Sequence, residues 1–81
     1  MKITVTFHSY FRDLAGCANV SIELPQGASL AQLFALVHER FPKLKAMEKS
    51  TLIAVGLEYQ RGEHILRDGD EVSLFPPVQG G

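Results

Sequence analysis

The sequence predicts an α+β domain of two layers, with one helix laid across one sheet. Three observations carry this. Residues 2–8 and 18–24 each alternate apolar and polar side chains with a period of two, the pattern of half-buried strands. A single stretch after Ser29 repeats apolar residues at helical spacing. Two further short runs, 52–55 and 71–75, are apolar or β-branched and bounded by turn residues. One helix covering one face of a sheet is an economical way to close such a core.

The first strand, residues 2–8, places Ile3, Val5 and Phe7 on one face and Lys2, Thr4, Thr6 and His8 on the other. Residues 9–16 read as a loop whose Tyr10, Phe11 and Leu14 cover one end of the core. The second strand turns Val20, Ile22 and Leu24 inward and Asn19, Ser21 and Glu23 outward. A short connection makes these two strands an antiparallel hairpin. Pro25-Gln26-Gly27 then breaks the chain, and Ser29 with Gln32 has capping-box spacing. Leu30, Leu33, Phe34, Val37 and Phe41 form one apolar stripe, which Pro42 terminates. Residues 43–50 carry three lysines and no pattern that assigns an element.

Leu52-Ile53-Ala54-Val55 reads as a largely buried strand. Gly56 marks a turn or bulge before Leu57-Glu58-Tyr59, Arg61-Gly62 a second turn, and Asp68-Gly69 a third. In the last strand, residues 71–75, Val72 and Leu74 point inward. The same alternation puts Phe75 outside, with Glu71 and Ser73. Two readings of that ring stand open: a partner covers it, or it folds back over the edge of its own domain.

Composition bounds the function. The 81 residues make one domain, near the lower size limit for folding without disulfides or a metal. The net charge is −1, with acidic and basic residues mixed, which gives no nucleic-acid footprint and no polybasic membrane patch. No apolar run approaches membrane-spanning length, and Met1-Lys2 leads straight into a strand rather than a signal peptide. Cys17 has no second cysteine to pair with, as suits a reducing compartment. The expectation is a soluble cytoplasmic domain.

Pro76-Pro77-Val78-Gln79-Gly80-Gly81 follows the last strand directly. Two prolines remove two backbone donors and fix φ twice, so the sheet cannot continue and the exit is stiff. Two glycines at the tip can enter a channel too narrow for any side chain. Fully extended, residues 76–81 reach at most about 20 Å, enough to enter another protein's active site. The only chemical group there is the Gly81 carboxylate. At neutral pH a terminal carboxylate, with a reference pKa of about 3.3–3.7, is an anion and a poor electrophile. Acyl chemistry at Gly81 therefore needs activation, such as a mixed anhydride with a nucleotide, and no phosphate-binding glycine loop occurs in this chain to provide it. The plainer reading is that Gly-Gly is a frayed chain end.

Leu66-Arg67-Asp68-Gly69-Asp70-Glu71-Val72, followed by Phe75-Pro76-Pro77-Val78-Gln79-Gly80-Gly81, closely resembles the small subunits of molybdopterin synthase, the MoaD group of ubiquitin-like sulfur carriers. The likeness covers the whole chain, including Phe11-Arg12-Asp13-Leu14-Ala15-Gly16 and the Leu24-Pro25 ahead of the capped helix. It implies a β-grasp domain over residues 1–75, a mixed sheet on one main helix with first and last strands adjacent, and an extended tail over residues 76–81. It further implies that a partner enzyme adenylates Gly81 with ATP and that sulfur then converts the end to a thiocarboxylate. The tail, Pro76, Pro77, Val78, Gln79 and Gly80, inserts into a large synthase subunit, in an expected heterotetramer. There the sulfur passes to precursor Z to build the molybdopterin dithiolene. The chain itself is a carrier that binds no cofactor, and the catalytic groups belong to the large subunit. By position, the family's apolar docking patch falls on His8, Tyr59 and Phe75. His8 departs from its apolar character, and Gly56 stands where an asparagine is common.

Other residues read as structural. His8, His38 and His64 have no metal-ligand spacing with each other or with Cys17. Asp68, Asp70 and Glu71 form a carboxylate cluster that turn chemistry explains better than acid–base work. Alternatives to molybdopterin synthesis share the tail: sulfur delivery to thiazole biosynthesis, or a ubiquitin-like modifier whose activated glycine is attacked by lysines of target proteins. A pure interaction module with an idle tail is the remaining one.

Overall fold

The structure, a computed structural model, describes residues 1–77. Strand β1 (Lys2–Phe7) buries Ile3, Val5 and Phe7. Strand β2 (Asn19–Glu23) lies antiparallel beside it, with Val5 opposite Val20 and Ile3 opposite Ile22. Both strands follow the alternation of the sequence.

The connection between them is not the plain loop expected over residues 9–16. It contains a short helix, α1 (Phe11–Ala15), whose Phe11 is buried in the core. Ser9 sits at φ 57, a left-handed conformation uncommon outside glycine, and swings the chain into the helix. Gly16 ends it, its N–H donating to the Arg12 carbonyl at 2.8 Å. Five residues are too few to show helical periodicity. Tyr10 remains exposed, so of the three residues expected over the core end, Phe11 is the one fully buried.

Helix α2 (Leu30–Arg40) carries the predicted capping box: Gln32 N–H donates to Ser29 Oγ at 3.3 Å, and Ser29 N–H donates to Gln32 Oε1 at 2.8 Å. Its other free donors are met from a distant loop. Leu30 N–H donates to the His64 carbonyl and Ala31 N–H to the Gly62 carbonyl, at 2.8 and 2.9 Å. All of the helix's first donors are thus satisfied. The approach is close at Gly62, where a Cβ would stand 3.1 Å from that of Ala31 and its neighbour would have to give way slightly. Leu30, Leu33 and Val37 are buried, while Phe34 and Phe41 pack half-buried at the core margin. Phe41 meets Phe7 edge to face, with ring centroids 5.2 Å apart. His38 is buried on the same side, which the apolar stripe does not announce.

Pro42–Ser50 forms a 3₁₀ segment where no element is expected from the sequence. Leu44 is buried and Met47 packs against the core, and their spacing of three is that of a 3₁₀ turn. Thr51 closes the segment by donating its hydroxyl to the Met47 carbonyl at 2.7 Å.

Strand β3 (Leu52–Val55) pairs antiparallel with both β4 (Glu58–Tyr59) and β5 (Glu71–Phe75). The strand is less buried than expected: Ala54 alone is buried, and Leu52 is exposed. In its register Leu52 stands opposite Phe75 and Ala54 opposite Ser73, both on the outer face, while Ile53 and Val55 turn to the core and pack half-buried at its margin. β1 and β5 run parallel at the centre, and the sheet order is β2-β1-β5-β3-β4. This mixed five-stranded sheet, with α2 on one face, is the β-grasp arrangement. Each large side chain buried between sheet and helix contributes roughly 1.5–3 kcal/mol.

The turn at Asp68-Gly69 ties the start of β5 to the start of β1. Gly69 adopts φ 87, and Asp70 N–H donates to the Arg67 carbonyl at 3.0 Å. Asp68 Oδ1 accepts from Lys2 N–H at 2.7 Å, and Asp70 Oδ2 from Arg67 N–H at 2.8 Å. Both carboxylates accept from backbone donors, Asp70 within its own turn and Asp68 from the start of β1. No helix among the described residues is long and apolar enough to cross a membrane.

Candidate functional site

β5 ends at Phe75, and Pro76 and Pro77 leave the sheet, as the diproline dictates. The site is therefore the root of the tail and the outer face beside it. Val78, Gln79, Gly80 and Gly81 lie outside the described residues.

Three strands assemble this face. β1 and β5 are in parallel register with Phe7 beside Leu74, and His8 N–H extends the ladder by donating to the Leu74 carbonyl at 3.1 Å. This places His8 beside Phe75. The two rings stack at 4.2 Å between centroids, 14° from parallel. β3 brings Leu52 opposite Phe75 from the other side. β4 brings Tyr59 opposite Ala54, with its ring 6.5 Å from Phe75 in an edge-on arrangement. His8, Tyr59 and Phe75, far apart in sequence, thus form one cluster at the base of the tail. Phe75 is half-buried. The ring packs against its own domain through His8, as the fold-back reading expects, and stays half-exposed.

Leu52 belongs to this face and was not expected there. It is 37 % exposed, and Tyr59 is 70 % exposed. The signal lay in the alternation of β3, but only pairing with β5 reveals which half of that alternation faces out. His8 Nε2 is buried without a hydrogen-bond partner. An imidazole nitrogen in that condition carries a cost that an apolar ring in the same place would not.

Gly56 takes φ +61 at the first position of the two-residue link between β3 and β4. Left-handed backbone is open to asparagine as well as glycine, so the conformation accounts for either residue there. No group of three or more His, Cys, Asp or Glu side chains among the described residues could hold a metal ion. Cys17 is a free, half-buried thiol. Two grooves lie along α2 and include none of the residues of the tail root.

A compact β-grasp domain with an apolar face at the base of a proline-stiffened tail defines a ubiquitin-like carrier. The chain belongs to the ThiS family, whose model matches residues 5–81. It is 35 % identical to the molybdopterin synthase sulfur carrier subunit of Chlamydomonas reinhardtii, over the full length of both chains. Among solved structures it matches a complex of subunits 1 and 2 of the molybdopterin-converting factor of Helicobacter pylori, with a TM-score of 0.75, 29 % identity and complete coverage of both chains. SAMP1 of Haloferax volcanii shares the fold along its entire length, with a TM-score of 0.91 at 19 % identity.

Proposed function

We propose that this chain is the sulfur-carrying small subunit of a molybdopterin synthase. The Chlamydomonas relative carries the description of molybdopterin synthase sulfur carrier subunit over its full length, and the tail-root geometry supports the reading. The observation that bears most weight is the cluster of His8, Phe75 and Tyr59 where Pro76 and Pro77 leave the sheet. A face there lets a partner grip the domain and receive the tail in one encounter.

The chemistry follows from the carboxylate of Gly81. A partner enzyme transfers the adenylyl group of ATP to it and pyrophosphate leaves. A sulfide-level donor then attacks the acyl carbon, AMP departs, and the chain ends in a thiocarboxylate. The sulfur of this group stays nucleophilic at neutral pH. Inside a large subunit, reached by the narrow glycine end, it attacks precursor Z to supply dithiolene sulfur. Hydrolysis of the acyl group then returns Gly81 to a carboxylate. This chain binds no cofactor of its own, and bases and substrate pocket belong to the large subunit. The assembly is a heterotetramer with that subunit, in the cytoplasm.

Intact mass spectrometry after co-expression with an adenylating enzyme of this class tests the reading. An oxygen-to-sulfur mass shift confined to the C-terminal peptide is expected. A branched Gly-Gly remnant on lysines of other proteins would identify a modifier instead. Thiocarboxylate that is consumed only by a thiazole-forming enzyme would place the chain in that pathway.

A further inference from the structure

β2 is an open edge of the sheet, and the backbone phase of its pairing is fixed. Phe7 N–H donates to the Ala18 carbonyl and Leu24 N–H to the Met1 carbonyl, at 2.8 and 2.9 Å. Even-numbered residues of this stretch therefore bond to β1, while Asn19, Ser21 and Glu23 turn their N–H and C=O groups outward. Among the described residues these outward groups have no partner. The opposite edge, β4, is only two residues long and offers little to pair with. β2 has no proline, bulge or lysine to discourage pairing, and Glu23 is its one charge.

We propose that β2 pairs with β2 of a second copy of this chain, antiparallel about a twofold axis at Ser21. This register sets Ser21 against Ser21 and Asn19 against Glu23, and those are the residues with outward backbone groups. No like charges face each other along the strand. On the helix side it sets half-buried Val20 against Ile22 of the other copy. Between β2 and α2 runs a groove of about 490 Å³, lined by Ser21, Ile22, Glu23, Leu36, Glu39 and Arg40. The twofold axis brings both grooves together, so that each exposed Leu36 gains apolar cover. Arg40 of each copy also lies across the axis from acidic Glu23 and Glu39. A net charge of −1 opposes self-association little. The other occupant such an edge could take, an unrelated extended peptide, has no reason to match this symmetric charge pattern. Pairing here leaves His8, Tyr59 and Phe75 open, because β5, β3 and β4 lie on the far side of β1.

Sedimentation velocity of the full chain over a concentration series tests this. One edge and one helix face make a small interface, of the weak class below about 1,200 Å². A reversible monomer–dimer equilibrium with a Kd on the order of 0.1 mM is expected. Ser21→Pro removes an outward N–H without touching the β1 ladder, and Ser21→Lys places two ammonium groups on the axis. Each is expected to raise the Kd at least about tenfold while the thermal unfolding curve keeps its shape. Leu36→Glu, on an exposed helix position, gives the same loss without altering the strand. A purely monomeric chain at about 1 mM overturns the proposal. So does a dimer that survives all three variants, including one that dissociates only with Phe75→Asp.

Discussion

His8 lies face to face with Phe75, with ring centroids 4.2 Å apart and planes 14° from parallel. The stack bridges the end of β1 and the end of β5, one residue before the chain leaves the sheet. It therefore governs where Pro76 starts from. Removing the His8 ring should free Phe75 to turn and broaden the directions in which the tail departs. His8→Ala is expected to weaken binding to the large subunit by about five- to twenty-fold, which corresponds to roughly 1–2 kcal/mol. Its effect on domain stability should stay below about 1.5 kcal/mol, since the site lies outside the core. Isothermal titration with the large subunit beside a denaturant melt separates the two. Unchanged affinity would remove His8 from the docking function.

Phe75→Asp addresses the same face more severely. It puts a carboxylate where a partner would exclude water, opposite the exposed Leu52. The expected loss of affinity is at least about a hundredfold, with the fold retained because Phe75 is only half-buried. Leu52→Asp should act in the same direction to a smaller extent. Equal binding by both variants would show that the large subunit docks elsewhere.

How much of this was readable in the sequence depends on how local each cause is. The alternation in β1 and β2 and the Ser29–Gln32 capping box lie within single elements, and the structure contains them as expected. So does the role of Asp70, which accepts from Arg67 N–H within its own turn, whereas Asp68 reaches Lys2 N–H at the other end of the sequence. α1 left no trace, being five residues with no side-chain cap at Tyr10. Leu44 and Met47 did leave one, a spacing of three, which a search for 3.6-residue periodicity passes over. The outward face of Leu52 and the carbonyls of Gly62 and His64 at the start of α2 depend on long-range pairing. No local pattern encodes those.

Truncation of Gly81 separates chemistry from folding. Gly81 lies outside the described residues, and in the proposed mechanism it carries the acyl group. Removing it should abolish sulfur transfer to the pterin while the melting temperature and the affinity for the large subunit change little. Transfer that persists in the truncated chain would rule out the thiocarboxylate mechanism.

The turn before β5 should prove more important than its exposure suggests. Asp68 Oδ1 holds the Lys2 N–H across 66 positions of sequence, and Gly69 N–H returns a bond to the Lys2 carbonyl at 2.9 Å. Asp68→Ala leaves one of these donors to solvent and is expected to cost about 1 kcal/mol. Gly69→Val forces a β-branched residue to φ 87 and should cost more, about 2 kcal/mol. Chemical denaturation of the two variants checks the order. An Asp68→Ala variant as stable as the parent would show that water replaces the carboxylate without loss.

His38 gives the domain a pH dependence of definite sign. Its ring is buried beside Phe34, with centroids 4.1 Å apart, and burial lowers its pKa below the ordinary value of 6.5. Glu48 pulls the pKa back up and Lys45 adds a little to the lowering, so loss of hydration is the dominant cause. Above pH 6.5 the ring is neutral in both folded and unfolded chains, and it places no proton-linked burden on folding. As pH falls below 6.5 the unfolded chain takes up a proton that the folded chain still refuses. Stability then declines with falling pH until the folded pKa is passed, by at most about 1.4 kcal/mol per pH unit from this group. His38→Gln keeps a polar side chain of similar reach without the titration. Denaturant melts from pH 7.5 down to 5 should show a steeper fall for the parent than for the variant, and the difference between the curves isolates His38 from His8 and His64. Parallel curves would mean that the ring titrates alike in both states, and that its burial is relieved by water reaching it in the folded domain.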